Sequence, residues 1–153
     1  LHARSVADPD AFWPLVLGRM GVAFDPSPRA VCDLSRGVLD ARWFPDAGID
    51  LAAWCLRGDP ERLALVVGDE DGARRSRTVG ELRARVGRVA AGLAGLGLAP
   101  SEPVALALPL GEEAVVAFLA LLSAGHPVVG IAESLSSEEI GRRMRIARAR
   151  WVV

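Results

Sequence analysis

Residues 78–153 confine what this chain can fold into. Two short apolar runs within them, 104–108 (VALAL) and 128–131 (VVGI), lack the polar alternation of a half-solvated strand. Strands covered on both faces of a parallel sheet read this way. A helical pattern follows each run, so the local unit is βαβ and the fold class is α/β with parallel strands. A third such strand is expected to open at Trp151-Val152-Val153, where the sequence stops.

Local punctuation supports this reading. Thr78-Val79-Gly80-Glu81 and Ser136-Ser137-Glu138-Glu139 both have the form of a capping box, in which hydroxyl and carboxylate satisfy each other's backbone amides. Behind the first, Leu82, Val86, Val89, Ala90, Leu93 and Leu96 form an apolar helical stripe, with Arg83, Arg85 and Arg88 outside it. Gly97 is expected to close that helix and Pro100 to prevent its continuation. Glu112 and Glu113 open the next helix, favourably placed against its positive end. Residues 114–124 are apolar nearly all round, which predicts the best-buried helix. That run is about half the ~20 residues of a membrane span, so it reads as core. The third helix is expected to bury Ile140, Met144 and Ala147, leaving Arg142, Arg143, Arg145, Arg148 and Arg150 on its surface. Upstream, the strand 63–67 (LALVV) is predicted to return through 74–77 across a turn at 69–72, with its arginines on a solvated face.

The beginning of the chain has another texture. A helix over 10–20 is predicted, with Asp8 as N-cap and Gly21 at its end. A Pro-rich turn at 24–28, a short extended piece within 31–40 and an aromatic corner at Trp43-Phe44-Pro45 follow. A short helix over 49–56 has Asp50 near its start. The expected organisation is therefore an irregular, helical N-terminal wrap over 1–62 and the first part of a larger α/β domain over 63–153. With Leu rather than Met at position 1 and a last strand barely begun, the sequence is expected to be a piece of a longer chain.

Composition narrows the chemistry. All 18 basic residues are Arg and the chain contains no Lys, so no lysine-dependent step can run within it. A net charge of −1 gives no global attraction to nucleic acid or an anionic membrane. Cys32 and Cys55 stand alone, without metal-ligand or redox spacing; buried free thiols in a reducing, cytoplasmic setting are expected. The first 20 residues lack the pattern of a signal peptide.

Several tempting sites fail on physical grounds. The glycines at 92, 95 and 97 close a helix, whose outward carbonyls repel phosphate rather than bind it. His126 has no acidic or cysteine neighbour at ligand spacing and is expected to be structural or solvent-facing. Asp69, Glu70 and Asp71 read as turn solvation, with a weak cation site as the alternative. The arginines of 140–150 suggest an RNA surface, but no aromatic residues interleave, so a solvated face is the better reading. The loop 131–135 stands apart, because it follows the carboxyl end of a parallel strand, where open α/β sheets place ligands. Glu133 there opposes an anion, which leaves Ser134 and Ser136 as contacts; an ordinary βα connection is the plain alternative.

These residues resemble a known family. RTVGELRARVGRVAAGLAGLGL at 77–98 and VALALPLGEEAVVAFLALLSAG at 104–125 resemble the opening of the adenylate-forming (AMP-binding) superfamily. WFPDAGIDLAAWCL at 43–56 is similar to the N-terminal region of acetyl-CoA synthetases, although Asp46, Asp50 and Ala53 replace the usual Gly, Asn and Glu. Pro100-Ser101-Glu102 stands where K-G-D is usual. GIAESLSSEEIGRRMRIARARWVV at 130–153 is similar to acyl-activating enzymes near acetyl-CoA synthetase, including plant peroxisomal ones.

The resemblance implies the N-terminal portion of an acyl-CoA synthetase, an acid–thiol ligase that joins a small carboxylic acid to coenzyme A through an acyl-adenylate, using ATP and Mg²⁺. The family's phosphate loop, adenine-binding motifs and catalytic lysine are expected beyond residue 153. No catalytic or metal residue is therefore carried over, and the isolated 153 residues are expected to be inactive and to bind none of these cofactors tightly. Their expected partner is the remainder of their own chain, with neither nucleic acid nor membrane. The family brings coenzyme A near the loop 131–136, which makes Glu133 and Ser134 the candidates for that face. The alternative is a non-catalytic binding or scaffold module derived from the same fold.

Overall fold

The computed structural model describes residues 2–68 and 71–153. The chain divides into two compact units, residues 1–49 and 50–153.

The larger unit is built on a parallel sheet of β5 (Val104–Leu106), β6 (Val128–Gly130) and β7 (Trp151–Val152), in the order β6-β5-β7. The third strand expected at Trp151 is thus present, with Val104 opposite Trp151 and Ala105 opposite Val152. Alternation along the central strand separates two cores. Val104 faces a cluster with Leu82, Val86 and Leu93 of α4 (Val79–Ala94) and Val116, Leu119, Ala120 and Leu121 of α5 (Glu112–Ser123). Ala105 faces the other way, into Ile131 and Ala149, against which Ile140, Met144 and Ala147 of α6 (Ser137–Ala147) pack. Helices therefore cover both faces, as the unbroken apolar strands required. Both capping boxes are made, Thr78 with Glu81 and Ser136 with Glu139. The stripe of α4 is narrower than its sequence suggests. Val89 is exposed at the stripe's margin, and Leu96 is exposed because the helix ends at Ala94 and Leu96 falls in the closing turn.

A hairpin of β3 (Leu63–Gly68) and β4 (Arg74–Thr78) leads into α4, and the short α3 (Leu51–Cys55) is capped by Asp50, which accepts from the Ala53 amide at 2.8 Å. The Arg83 guanidinium donates to the Leu56 carbonyl at 2.5 Å and satisfies the end of α3. Asp69 and Glu70, the expected turn and alternative cation site, lie outside the described residues. Cysteine burial departs from expectation. Cys32 is half-buried and Cys55 exposed, because Ala52 and Leu56 fill the core side of α3 and leave Cys55 at the rim of an open trough.

Two buried carboxylates tie the elements together. Glu112, 4% exposed, accepts from Arg77 Nε of β4 at 2.8 Å and pairs with Arg85 of α4. Arg77 is thus drawn out of the solvated strand face expected for it. Glu102 accepts from the Ala99 amide at 3.0 Å and from Arg150 Nε at 2.6 Å, while its own carbonyl accepts from Nδ1–H of the buried His126 at 3.1 Å. One residue therefore fastens the amino ends of all three parallel strands, and His126 is structural. The Arg150 hydrogen bond, then the Ala99 amide, brings the Glu102 carboxyl down to about 2 against the cost of burial.

In the smaller unit, α1 (His2–Ala7) precedes α2 (Pro9–Met20). Asp8 caps α2 by accepting from Ala11, and Gly21 ends it in the left-handed region. The pair β1 (Cys32–Asp33) and β2 (Arg42–Trp43) is antiparallel. The aromatic corner forms: Trp43 meets Trp13 at 6.0 Å and Phe44 meets Phe24 at 5.4 Å between ring centres. Only glycine fits at 48, where a Cβ would stand 2.3 Å from the Asp25 carbonyl oxygen.

Asp46 adopts φ +66° in the same corner and accepts from Arg29 Nε at 3.0 Å across an exposed pair. A left-handed conformation costs an ordinary side chain about 1–2 kcal/mol, less for Asp and nothing for Gly. Asp46→Gly is expected to stay within about 0.5 kcal/mol of the parent in urea unfolding, since relieved strain offsets the lost pair and the freer unfolded chain. Asp46→Ala should cost about 1 kcal/mol, and equal stability of the two variants would refute strain at this position.

Candidate functional site

The carboxyl end of the parallel sheet is where an α/β sheet of this kind presents its loops to a ligand. Two loops emerge there. After β5, residues 107–111 run to the start of α5, with the Ala107 amide donating to the Val153 carbonyl at 2.8 Å and Leu110 almost fully exposed at 96%. After β6, residues 131–136 run to α6. The Ile131 amide donates to the Leu106 carbonyl at 2.9 Å, and the Ile131 side chain is buried beside Ala105. Leu135 packs against the same cluster, and its amide closes a turn on the Ala132 carbonyl at 3.2 Å.

Two apolar anchors thus hold the exposed tip 132–134 out from the sheet. Glu133 and Ser134 both lie on that tip, side by side and open to solvent. Neither makes a hydrogen bond to another side chain among the described residues. Ser136 is different. Its Oγ accepts from the Glu139 amide at 3.3 Å and donates to Glu139 Oε2 at 2.9 Å, while its amide donates to that carboxylate at 3.1 Å. These bonds, the hydroxyl's first, hold the Glu139 carboxyl below its ordinary value. Ser136 is committed to the cap, so of the two serines only Ser134 keeps a free hydroxyl for a ligand.

The arrangement offers one hydroxyl, one carboxylate and the amides of an exposed turn. It can hydrogen-bond an extended ligand passing over the sheet edge, and it contains no nucleophile–base pair. Among the described residues no group of three or more His, Cys, Asp or Glu could hold a metal ion. The glycines at 92, 95 and 97 lie at the closing end of α4, with the Gly95 and Leu96 amides turned back onto the Gly92 and Leu93 carbonyls. No phosphate cradle exists there. No helix of the described residues is long and apolar enough to cross a membrane. Sequence reasoning missed the ion pairs that set the loops' roots, since Glu112 and Arg77 are 35 residues apart and carry no local signal.

A parallel three-stranded sheet with helices on both faces, entered through a hairpin and a capping box, defines the opening part of an α/β domain. The chain belongs to the AMP-binding enzyme family, whose sequence pattern matches residues 52–153. Residues 1–55 match the acetyl-coenzyme A synthetase N-terminus. Among curated relatives, a probable peroxisomal acyl-activating enzyme 17 of Arabidopsis thaliana is 34% identical over 97% of this chain and 22% of its own length. Hexanoyl-CoA synthase of Cannabis sativa is 31% identical over 97% and 22%. Among solved structures, acetoacetyl-CoA synthetase from Streptomyces lividans superposes with a TM-score of 0.89 at 30% identity, covering 99% of this chain and 24% of that protein. The chain therefore spans less than a quarter of the length of these relatives.

Proposed function

We propose that these residues are the N-terminal part of an ATP-dependent acyl-CoA synthetase, which converts a carboxylic acid, ATP and coenzyme A into acyl-CoA, AMP and pyrophosphate through an acyl-adenylate. The observation that carries this reading is the match of both halves of the chain, in order, to the two sequence families that open such enzymes, with the sheet geometry retained at a TM-score of 0.89. ATP, magnesium and the acid are proposed to bind residues outside these 153; the segment has no lysine, and among the described residues its glycine run at 92–97 closes a helix. Its own part is architectural, with Glu133 and Ser134 facing coenzyme A. A cytoplasmic setting is proposed, with a peroxisome as the other compartment that the plant relatives' names suggest.

Acid-dependent ATP–pyrophosphate exchange tests the reading. The natural polypeptide that carries these residues should catalyse exchange, and the 153-residue chain alone should not. No exchange with any of acetate, acetoacetate and hexanoate in the natural polypeptide would sink the proposal and leave the non-catalytic scaffold.

The site assignment has its own measurement. One hydrogen bond to a ligand contributes about 1 kcal/mol, or roughly a five-fold change in affinity. Ser134→Ala in the natural polypeptide should raise KM for coenzyme A about five-fold and leave ATP–pyrophosphate exchange, which precedes coenzyme A, unchanged. Glu133→Gln should lower that KM, because it removes a like charge facing a phosphate-bearing ligand. Unaltered KM in both variants would clear the tip of any role.

A further inference from the structure

In the smaller unit, helix α2 is apolar on two opposite sides. Trp13 and Leu17 turn inward: Trp13 meets Trp43, and Leu17 lines a hollow with Phe24 and Phe44. The other stripe runs from the N-cap Asp8 through Ala11, Phe12, Leu15 and Val16 to Arg19, at helical spacing. It lines a second hollow of about 280 Å³, to which α1 supplies the opposite wall with Arg4 and Ala7. None of α2 is buried, and Leu15 is 53% exposed. A helix that is apolar on both sides calls for cover on both. The two ends of the stripe carry opposite charge. The Asp8 carboxylate accepts from the Ala11 amide at 3.1 Å and keeps further lone pairs, and Arg19 enters no salt bridge among the described residues.

We infer that this stripe is the seam on which a second copy of the chain pairs, α2 against α2 and antiparallel, about a two-fold axis beside residues 13 and 14. The stripe is self-complementary in that register. Asp8 of one copy faces Arg19 of the partner subunit, Ala11 faces Val16, and Phe12 faces Leu15. The two-fold axis repeats all three contacts, as an isologous interface requires. Unlike charges then close both ends of an apolar middle, with the helix axes about 8–10 Å apart. Parallel pairing would set Asp8 on Asp8 and Arg19 on Arg19, so charge selects the antiparallel dimer. A polyanion or a polycation would meet one end of the stripe as a like charge, whereas a second copy satisfies both. The seam is short, so dimer and monomer exchange with concentration. This inference concerns the smaller unit and does not rest on the proposed function.

Sedimentation of the natural polypeptide that carries these residues tests the seam. Its mass should rise from monomer to dimer with concentration, and added salt should weaken the transition. Arg19→Glu sets a carboxylate beside Asp8 of the partner subunit and should raise the dimer Kd about ten-fold. Leu15→Glu, which charges the apolar middle, should do the same. Adding Asp8→Asn to Arg19→Glu removes the new repulsion and keeps a capping side chain, so most of the lost affinity should return. Leu15 and Arg19 are both exposed in the single chain, so neither substitution should move the unfolding midpoint of the monomer. A monomer mass at every concentration would overturn the inference. So would a dimer indifferent to Arg19→Glu and Leu15→Glu, which would pair through another surface. A double variant no tighter than Arg19→Glu would refute the antiparallel register. A lowered unfolding midpoint in monomeric Leu15→Glu would overturn the dimer as well, and would assign the hollow to another segment of the same polypeptide.

Discussion

Leu121→Ala is expected to destabilise the larger unit by about 3–4 kcal/mol in urea unfolding, the cost of a large-to-small change at a site that cannot collapse. Leu121 is 1% exposed and sits in the cluster that joins α4, α5 and Val104 of the central strand. Its neighbours Ala120 and Leu119 are also buried, so the void left by three carbons and their hydrogens has few flexible groups to fill it. Phe118, three residues earlier on the same helix, supplies the contrast. It is 44% exposed at the trough, and Phe118→Ala in the 153-residue chain should cost less than about 1 kcal/mol despite removing a larger side chain. The comparison separates the two sides of α5 by measurement. A cost for Phe118→Ala that equals or exceeds that for Leu121→Ala would mean that the trough side of α5 is closed in solution.

Most of the fold could be read in advance because its signals are local. The two capping boxes need four residues each, the buried strands need three to five apolar residues without alternation, and α2 needs Asp8 before it and Gly21 after. Each is decided by backbone satisfaction within a turn or two. What escaped reading depends on distance along the chain. Arg85 on α4 looks like any solvated arginine until α5 brings Glu112 beneath it, and Glu102 carries no local signal of its partner Arg150, 48 residues later. The exposure of Cys55 is of the same kind, since only the docking of α3 through Ala52 and Leu56 decides which side of that short helix faces outward. The candidate site was legible only as a position, the loop after a parallel strand. The S-x-x-E spacing at 136–139 already commits the Ser136 hydroxyl to the cap, and the structure, by making that box, leaves Ser134 as the serine open to a ligand.

The Glu112 cluster should dominate the acid sensitivity of the larger unit together with Glu102. The hydrogen bond from Arg77 lowers the Glu112 carboxyl, against its own desolvation, and the charges of Arg77 and Arg85 add to the effect. A carboxyl whose folded value lies below its unfolded value, about 4.3 for Glu, binds more protons when unfolded, so stability rises with pH across that interval. Its contribution is complete above about pH 4.3 and drains away as pH falls through the depressed folded value. For Glu102 that window extends down to about 2. Glu112→Gln keeps the shape but removes the charge. At pH 7 it should cost about 2 kcal/mol, below the 3–5 typical of a fully buried broken pair, because Arg77 and Arg85 remain about one-third exposed and can turn to water. The variant and the parent should converge only as pH falls through the depressed folded value of Glu112, where the parent loses the charge as well. Urea midpoints measured from pH 2.5 to 7 would show this as a flatter acid limb in the variant. A constant difference between the two across that range would instead assign the loss to packing, and Arg77 and Arg85 would then hold the hairpin and α4 to α5 by hydrogen-bond geometry rather than by charge.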